Sequence, residues 1–335
     1  MLYPFWGGSE EEPGPFDRYA RMGGSFFEMT SLEKADLAVL PAPWELVVQD
    51  RVARDLAFQF AEKARQVGKQ TVIFFWSDSE EEVPIEDAII FRTSFRRSRR
   101  KTNEFAMPAW HDDYVQKHLS GRLEIRQKRA KPVVGFCGLA APLRLLFGRR
   151  LRSILNWSAN LIGPREKNRS RYRPNGLAIR AQALRILSKS PGVKTNFIVR
   201  ERFLGGAYQP NGKMDLALLQ KVRLEFVRNM IESDYIVCAR GGGNFSYRLY
   251  ETLCCGRIPV FIDTDCVLPY DFATDWKKYC VWIDQGELPL IAKKVAEFHS
   301  NLSPQGFVSL QRECRTFWDR CLSPEGFFVN FHRHF

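Results

Sequence analysis

Residue types that bind phosphate are concentrated at one point of the chain, directly after the apolar, β-forming segment 235–239. A strand that passes through a glycine-rich turn into a helix aims backbone N–H groups and the positive end of the helix dipole at one point, where an anion binds. The candidate nucleotide-binding residues of this connection are Arg240, Gly241, Gly242, Gly243, Asn244, Ser246, Arg248 and Glu251.

The helix that follows the glycines can present two different functional groups together. Arg248 and Glu251 are three residues apart and share a helix face, which places a guanidinium for a diphosphate beside a carboxylate for ribose hydroxyls. Arg240 flanks the same point from the strand side. The alternative interpretation is a glycine turn with an i,i+3 ion pair and no ligand.

A second candidate group lies in the amino-terminal half, after Met107-Pro108. There, His111, Asp112 and Asp113 supply an imidazole and two carboxylates, any of which can act as a general base toward an attacking hydroxyl. The alternative is a helix N-terminus with acidic residues in its first turn, which the helix dipole favours. Both interpretations stay open at this point.

A literal D-x-D pattern, Asp263-Thr264-Asp265, follows the next predicted strand. Such a pattern can hold a divalent metal with a nucleotide diphosphate. A loop at the carboxyl end of a strand, where an open α/β sheet binds its ligand, is the interpretation we favour. The eight cysteines show no zinc spacing and are expected to be reduced core residues. We therefore expect no metal site.

Strand-like and helix-like segments alternate in the first half of the chain. Segments 37–40, 71–76 and 88–91 are predicted strands, and Asp50 is a predicted helix cap. The apolar face of that helix is predicted to contain Val52, Leu56, Phe60 and Val67. Short apolar strands that alternate with helices indicate a parallel sheet covered on both sides.

The alternation restarts after a polar, basic stretch at 122–131, with a new buried strand at 133–136. Two consecutive sets of this kind predict an α/β protein with two Rossmann-like domains, at residues 1–130 and 131–303. In the last part, 304–335, a helix at 304–321 is expected to pack near or across the domain junction.

The formal net charge is +12, and much of it lies in the runs 96–101, 144–152 and 165–173. Such runs are typical of solvated faces or loops, and the alternative is an anionic partner such as a nucleotide, an acidic glycan or a membrane surface. Arg200-Glu201-Arg202 offers a phosphate contact or a surface ion-pair cluster. No pattern typical of nucleic-acid binding is present. Without a signal peptide or a membrane span in the sequence, we expect a cytoplasmic protein, with peripheral contact to an anionic membrane as an option.

The carboxy-terminal half resembles the signature of the exostosin-like glycosyltransferases. The pattern S-R/Y-R-x-x-E-x-L-x-x-G-x-I-P-V-x-I, followed by LP, is matched by Ser246, Arg248, Glu251, Leu253, Gly256, Ile258, Pro259, Val260, Ile262, Leu268 and Pro269. Segment 30–37 with Leu40-Pro41 is similar to the family's T-x-x-x-x-A-D-L-x-x-x-P segment, and 103–108 resembles the short segment that ends in I-P or M-P.

The resemblance implies the GT-B architecture, in which two Rossmann-like domains face a central cleft that holds donor and acceptor. It implies an inverting, metal-independent enzyme that moves a sugar from a nucleotide-sugar, a UDP-sugar in our interpretation, to a glycan or lipid-linked saccharide. No cofactor beyond the donor substrate is then required. The alternatives are a metal-dependent transferase that uses Asp263 and Asp265, and a non-catalytic protein of the same fold that binds polyanions or glycans.

Overall fold

The computed structural model describes residues 14–141, 176–208 and 213–335. The described strands are β1 Ala38–Val39, β2 Thr71–Phe75, β3 Ile89–Arg92, β4 Glu104–Ala106, β5 Val133–Leu139, β6 Lys194–Arg200, β7 Tyr235–Cys238, β8 Ile258–Asp263 and β9 Val281–Asp284. The described α-helices are α1 Asp17–Met22, α2 Trp44–Val47, α3 Arg51–Gln66, α4 Tyr114–His118, α5 Gly176–Ser188, α6 Leu216–Ile231, α7 Tyr247–Cys254, α8 Ile291–Asn301, α9 Pro304–Phe317 and α10 Pro324–Val329.

The strands form two separate parallel sheets. The first has the order β1-β2-β3-β4 and the second the order β6-β5-β7-β8-β9, with every pairing parallel. Strands such as β2, β3, β7 and β8 are buried along their whole length, as expected of strands covered on both faces. The predicted α/β class with parallel sheets is confirmed.

The chain passes from the first sheet to the second between Ala106 and Val133. The helix α4 lies in this connection and packs against α6 and α7, which belong to the second sheet's layer. The domain limits proposed from the sequence, 1–130, 131–303 and 304–335, remain predictions.

The carboxy-terminal segment contacts both sheets. Helix α9 begins with Ser303 as its cap and buries Phe307, Leu310, Cys314 and Phe317 in the core of the second sheet. Helix α10 and the turn behind it bury Phe327, Phe328 and Phe331 in the core of the first sheet. The last 30 or so residues therefore tie the two sheets together through apolar contacts.

Two details of the sequence interpretation were wrong. Helix α3 forms where Asp50 caps it, but Val52 and Leu56 are exposed and the helix buries Ala57 and Ala64 instead. Strand β4 was not recognised as a strand, since a three-residue strand carries too short a pattern. The sequence also predicts that a helix begins at Pro142; this position and the basic runs 144–152 and 165–173 lie outside the described residues.

All eight cysteines are free, and seven of them are buried, as expected of reduced core residues. Within the described residues, no helix has both the length and the apolar character that a membrane crossing requires.

Candidate functional site

The predicted strand–turn–helix connection is present at the carboxyl end of β7. The turn is closed by the Gly241 N–H, which donates to Phe245 O at 3.1 Å, and α7 then begins after Ser246. Ser246 has the extended backbone of a helix cap, but its hydroxyl bonds to no N–H of the first turn. That hydroxyl is buried and has no hydrogen-bond partner among the described residues. A hydroxyl without a partner at a helix N-terminus can donate a hydrogen bond to a bound anion.

A guanidinium that the sequence interpretation missed lies beside this turn. Arg180, on α5, donates to Leu139 O at 3.2 Å and to Ala239 O at 3.3 Å, and so bridges the carboxyl ends of β5 and β7. Its Nη2 is also the atom nearest to where a Cβ on Gly241 would lie, at 3.8 Å. The signal for Arg180 is tertiary, because 60 residues separate it from Arg240 in the sequence.

Arg248 lies next to Arg180 and points to the same sheet edge. It donates to Cys137 O at 2.9 Å, and its guanidinium lies 4.5 Å from the centre of the Phe136 ring. The i,i+3 ion pair with Glu251, which was the alternative without a ligand, does not form among the described side chains. Arg248 therefore has no ion-pair partner among the described residues, and Glu251 pairs with Arg223 instead.

No carboxylate among the described residues lies within ion-pair distance of Arg180, Arg240 or Arg248. Burial, and next the charge of Arg248, lower the pKa of Arg180 to about 9. The Nε atoms of all three arginines are buried without an acceptor in the described part of the chain. Partly desolvated cations without a counter-ion are costly, so their retention in one place favours an anionic ligand.

Gly242 and Gly243 are explained by contact with the first sheet. A Cβ on Gly243 would lie 2.8 Å from Asp78 Cα, and one on Gly242 would overlap the Asp78 carboxylate. Gly243 is buried and Gly242 is exposed, so the loop after β2 covers Gly243 and limits the size of a side chain at Gly242. A Cβ on the half-buried Gly241 would meet Arg180 Nη2 at 3.8 Å and is not crowded.

Asn244 also joins the two sheets. Its backbone N–H donates to Ser94 Oγ at 2.8 Å, and its side-chain amide donates to Phe95 O at 3.0 Å and to Asp265 O at 3.1 Å. The Asn244 Oδ1 accepts from Arg240 at 3.2 Å, and Arg240 also donates to Gly242 O at 2.9 Å. Arg240 and Asn244 therefore hold the turn in shape, whereas the unused donors belong mainly to Arg180, Arg248 and Ser246.

Glu251 lies in a buried polar group with residues from two other helices. Its Oε1 accepts from the Tyr114 hydroxyl at 2.7 Å and lies 3.6 Å from Arg223 Nη1. The same Tyr114 oxygen accepts from Arg223 Nη1 at 2.6 Å. Glu251 Oε2 has no hydrogen bond among the described residues, and the Glu251 side chain is 10% exposed. One carboxylate oxygen is thus held by the protein, and the other is available to a ligand.

The three candidate bases have different surroundings. Asp113 caps α4 and forms a two-pronged ion pair with Arg315, at 2.8 and 2.7 Å. Burial raises the pKa of Asp113, but the Arg315 hydrogen bond and charge outweigh it and lower the pKa below its usual value. His111 packs against the rings of Tyr114 and Trp318, and burial lowers its pKa. Asp112 is the most exposed, and it pairs with Lys117 at 2.8 Å.

The D-x-D residues make contacts across the two sheets. Asp263 Oδ2 pairs with Arg97 at 2.9 Å, and its Oδ1 accepts from Cys266 N at 2.8 Å. Asp265 accepts from the Ser98 hydroxyl at 2.5 Å. Among the described residues, no cluster of three or more His, Cys, Asp or Glu side chains is arranged to hold a metal ion.

The basic run 96–101 was expected to be a solvated face or loop, and four of its six residues are exposed, but several of its side chains also form ion pairs. Arg96 pairs with Glu80 at 2.9 Å and Arg100 with Asp271 at 2.7 Å, in addition to the Arg97 and Ser98 contacts. In the motif Arg200-Glu201-Arg202, Arg200 pairs with Glu225 at 2.6 Å. This contact agrees with the interpretation of the motif as an ion-pair cluster.

Comparisons with known proteins agree with the signature. No family model matches the chain. Two curated relatives are similar to parts of it. Exostosin-1 of Drosophila melanogaster is 26% identical over 98 residues, which is 29% of this chain and 12% of that protein. A Physcomitrium patens protein named "Probable glucuronosyltransferase 47 A" is 32% identical over 68 residues, 20% of this chain and 15% of that protein.

These matches confirm the resemblance to the exostosin-like glycosyltransferases. The matched segments span only a small part of the relatives' own lengths. Among solved structures, TarM has a TM-score of 0.32 at 10% identity, with coverage of 79% of this chain and 54% of that chain. An S. aureus TarM mutant in complex with fondaparinux, α-GlcNAc-glycerol and UDP also scores 0.32. Scores at this level carry no argument about the site.

Proposed function

We propose that this chain is an exostosin-like glycosyltransferase, which transfers a sugar from a nucleotide-sugar to a hydroxyl of a glycan or lipid-linked saccharide. The donor in this proposal is a UDP-sugar, and the reaction inverts the anomeric centre without a metal ion. The signature residues, the two curated relatives and the geometry at the start of α7 support it.

The observation that carries the proposal is the group of unpaired donors around the turn. The guanidinium groups of Arg180 and Arg248, with the vacant Ser246 hydroxyl, lie at the carboxyl edge of β5 and β7. The carboxyl edge is where open α/β sheets bind nucleotides. Negative charge grows on the diphosphate as the sugar leaves, and prearranged cations stabilise that charge in the transition state. These arginines supply electrostatic stabilisation that other glycosyltransferases take from a metal.

Glu251 completes the donor site in this proposal. Its Oε2 is available to accept from a ribose hydroxyl, while Oε1 is held by Tyr114. The acceptor hydroxyl must lose its proton as it attacks, and we assign that step to Asp112. We choose Asp112 because its carboxylate is more exposed than that of Asp113. Among the described residues, its ion-pair partner is the exposed Lys117.

Ligand binding and sugar transfer test the proposal directly. We expect UDP to raise the unfolding temperature, since a ligand at 100 times its dissociation constant stabilises by about 2.7 kcal/mol. The assay compares UDP and UDP-sugars with other nucleoside diphosphates, with and without EDTA, and then measures UDP release with saccharide acceptors. Arg248→Ala should abolish the shift, and Arg99→Ala, an exposed arginine without an ion pair in the described residues, should keep it. Polyanion binding without any nucleotide response would instead favour the non-catalytic alternative.

A further inference from the structure

Tyr114 joins the connection between the two sheets to the candidate ribose carboxylate. It comes from the short helix α4, whereas Glu251 lies on α7 and Arg223 on α6. The three side chains meet in the interior, with Tyr114 only 2% exposed. The nucleotide proposal uses Glu251 alone and leaves the other two side chains unexplained.

The hydrogen bonds of this group have one consistent direction. Arg223 Nη1 donates to the Tyr114 oxygen at 2.6 Å, and the Tyr114 hydroxyl donates to Glu251 Oε1 at 2.7 Å. Burial, and next the charge of Glu251, raise the pKa of Tyr114 well above its usual value, so the hydroxyl keeps its proton. A hydrogen bond to a carboxylate is stronger than one between neutral groups, so the Oε1 position is well defined.

The position of Tyr114 is itself fixed from outside the site. Asp113, the preceding residue, accepts from Val115 N at 3.0 Å and is clamped by both Nη atoms of Arg315. The Arg223 guanidinium also lies 5.5 Å from the centre of the Tyr114 ring. Because Arg315 belongs to α9, the carboxy-terminal segment contributes to holding the carboxylate of α7.

We infer that Tyr114, supported by Arg223, is a positioning residue that holds Glu251 Oε1 so that Oε2 faces the ribose hydroxyls of a nucleoside diphosphate. Tyr114 touches no ligand in this arrangement. The inference rests on the proposed nucleotide site and adds the residue that orients its carboxylate. It predicts that Tyr114 acts on the ribose part of the ligand and leaves the diphosphate part unaffected, because Arg180 and Arg248 bond to neither Tyr114 nor Glu251.

The test compares UDP with inorganic pyrophosphate, which lacks the ribose, by isothermal titration calorimetry. In Tyr114→Phe the ring stays and the hydroxyl is lost. We expect UDP to bind about tenfold more weakly and pyrophosphate to change by less than about twofold, since the loss of one bond to a charged group has about this effect. Tyr270→Phe is the matched control, because the buried Tyr270 hydroxyl donates to Phe327 O, in the other core, and to no other described residue, so neither affinity should change.

A double-mutant cycle measures whether the effects of Tyr114 and Glu251 on UDP affinity are coupled, which a purely structural role of Tyr114 does not require. In the Glu251→Gln background, Tyr114→Phe should weaken UDP by less than about twofold more, since the carboxylate it positions is gone. If Tyr114→Phe does not fold, Arg223→Lys at its half-exposed position provides a second variant, with a selective UDP loss of about threefold expected.

The outcomes separate this role from the proposed function. Equal losses for UDP and pyrophosphate in Tyr114→Phe, or no loss for either, would overturn the positioning role while the nucleotide site stands. Failure of the wild-type protein to bind UDP would overturn the proposed function and this role together. A loss confined to UDP, and absent in the Glu251→Gln background, supports both.

Discussion

Arginines near the carboxyl ends of the strands of the second sheet have two contrasting kinds of partner. In the 96–101 segment, Arg96, Arg97 and Arg100 each pair with a carboxylate, at 2.9, 2.9 and 2.7 Å. Around the glycine turn, Arg180 and Arg248 bond only to backbone carbonyls, and their Nε atoms are buried without acceptors in the described part of the chain.

The contrast separates arginines that hold the structure together from arginines that are available to a ligand. A cation whose charge is neutralised within the protein has little attraction left for an outside anion, whereas a desolvated cation without a counter-ion gains strongly from one. Basic composition alone does not distinguish the two groups. The distribution of carboxylates in three dimensions does.

We expect the greatest loss of activity from substitutions of Arg248. Arg248→Ala should lower kcat/KM by about 30- to 1000-fold, equivalent to about 2 to 4 kcal/mol in the transition state. Arg248→Lys keeps the charge but loses the planar fork, so its loss should be smaller. Steady-state kinetics measures both. Because no carboxylate loses a partner, the free energy of unfolding should change by less than about 1 kcal/mol. Full activity in Arg248→Ala would remove the basis of the proposed site.

Asp112 and Asp113 extend the comparison to carboxylates. Asp112→Asn should lower turnover by about 100-fold, since loss of a general base has at least this effect. Asp113→Asn should instead lower stability, because the Arg315 ion pair is lost, and should keep turnover per folded molecule within about tenfold. Turnover assays and urea unfolding on the same preparations separate the two effects. Unchanged turnover in Asp112→Asn would place the base elsewhere.

Alanine substitutions at Gly243 and Gly241 compare a crowded position of the turn with an uncrowded one. A Cβ on Gly243 would lie 2.8 Å from Asp78 Cα and 2.7 Å from the Phe245 ring, so Gly243→Ala should cost about 1 to 3 kcal/mol of stability. Gly241→Ala meets only Arg180 Nη2 at 3.8 Å and should cost less than about 1 kcal/mol. Thermal unfolding of the two variants measures the difference. Equal costs would mean that Asp78 does not pack on the turn.

The smallest effect is expected in the 96–101 segment. Arg97→Ala leaves the buried Asp263 carboxylate with only the Cys266 N–H, and should lower stability by about 1 to 2 kcal/mol, a value reduced because Arg97 is half exposed. Arg99→Ala is the matched control from the same run and should stay within about 0.5 kcal/mol. UDP affinity should be the same in both. Weaker UDP binding in Arg97→Ala would show that the two groups of arginines act together.

Local sequence signals were sufficient for the elements of the site. The β-forming segment before Arg240, the glycine turn and the following helix are all present, and Gly256 ends α7 with a φ of 60°, as a C′ glycine does. The alternation of strands and helices also gave the α/β class and the two parallel sheets. These features depend on residues that are neighbours in the chain, so the sequence records them directly.

Residues that are close together in the sequence predict where the glycine turn forms and which helix carries Arg248 and Glu251. Which hydrogen-bond donors remain unpaired depends on the three-dimensional arrangement, because the partners are far apart in the chain. Arg180 reaches the turn from α5, Tyr114 reaches Glu251 from α4, and Asp78 packs on Gly243 from the loop after β2. A single sequence carries no signal for such pairs, since hydrogen bonds and ion pairs form by distance in space, whereas helix and turn preferences act within a few residues.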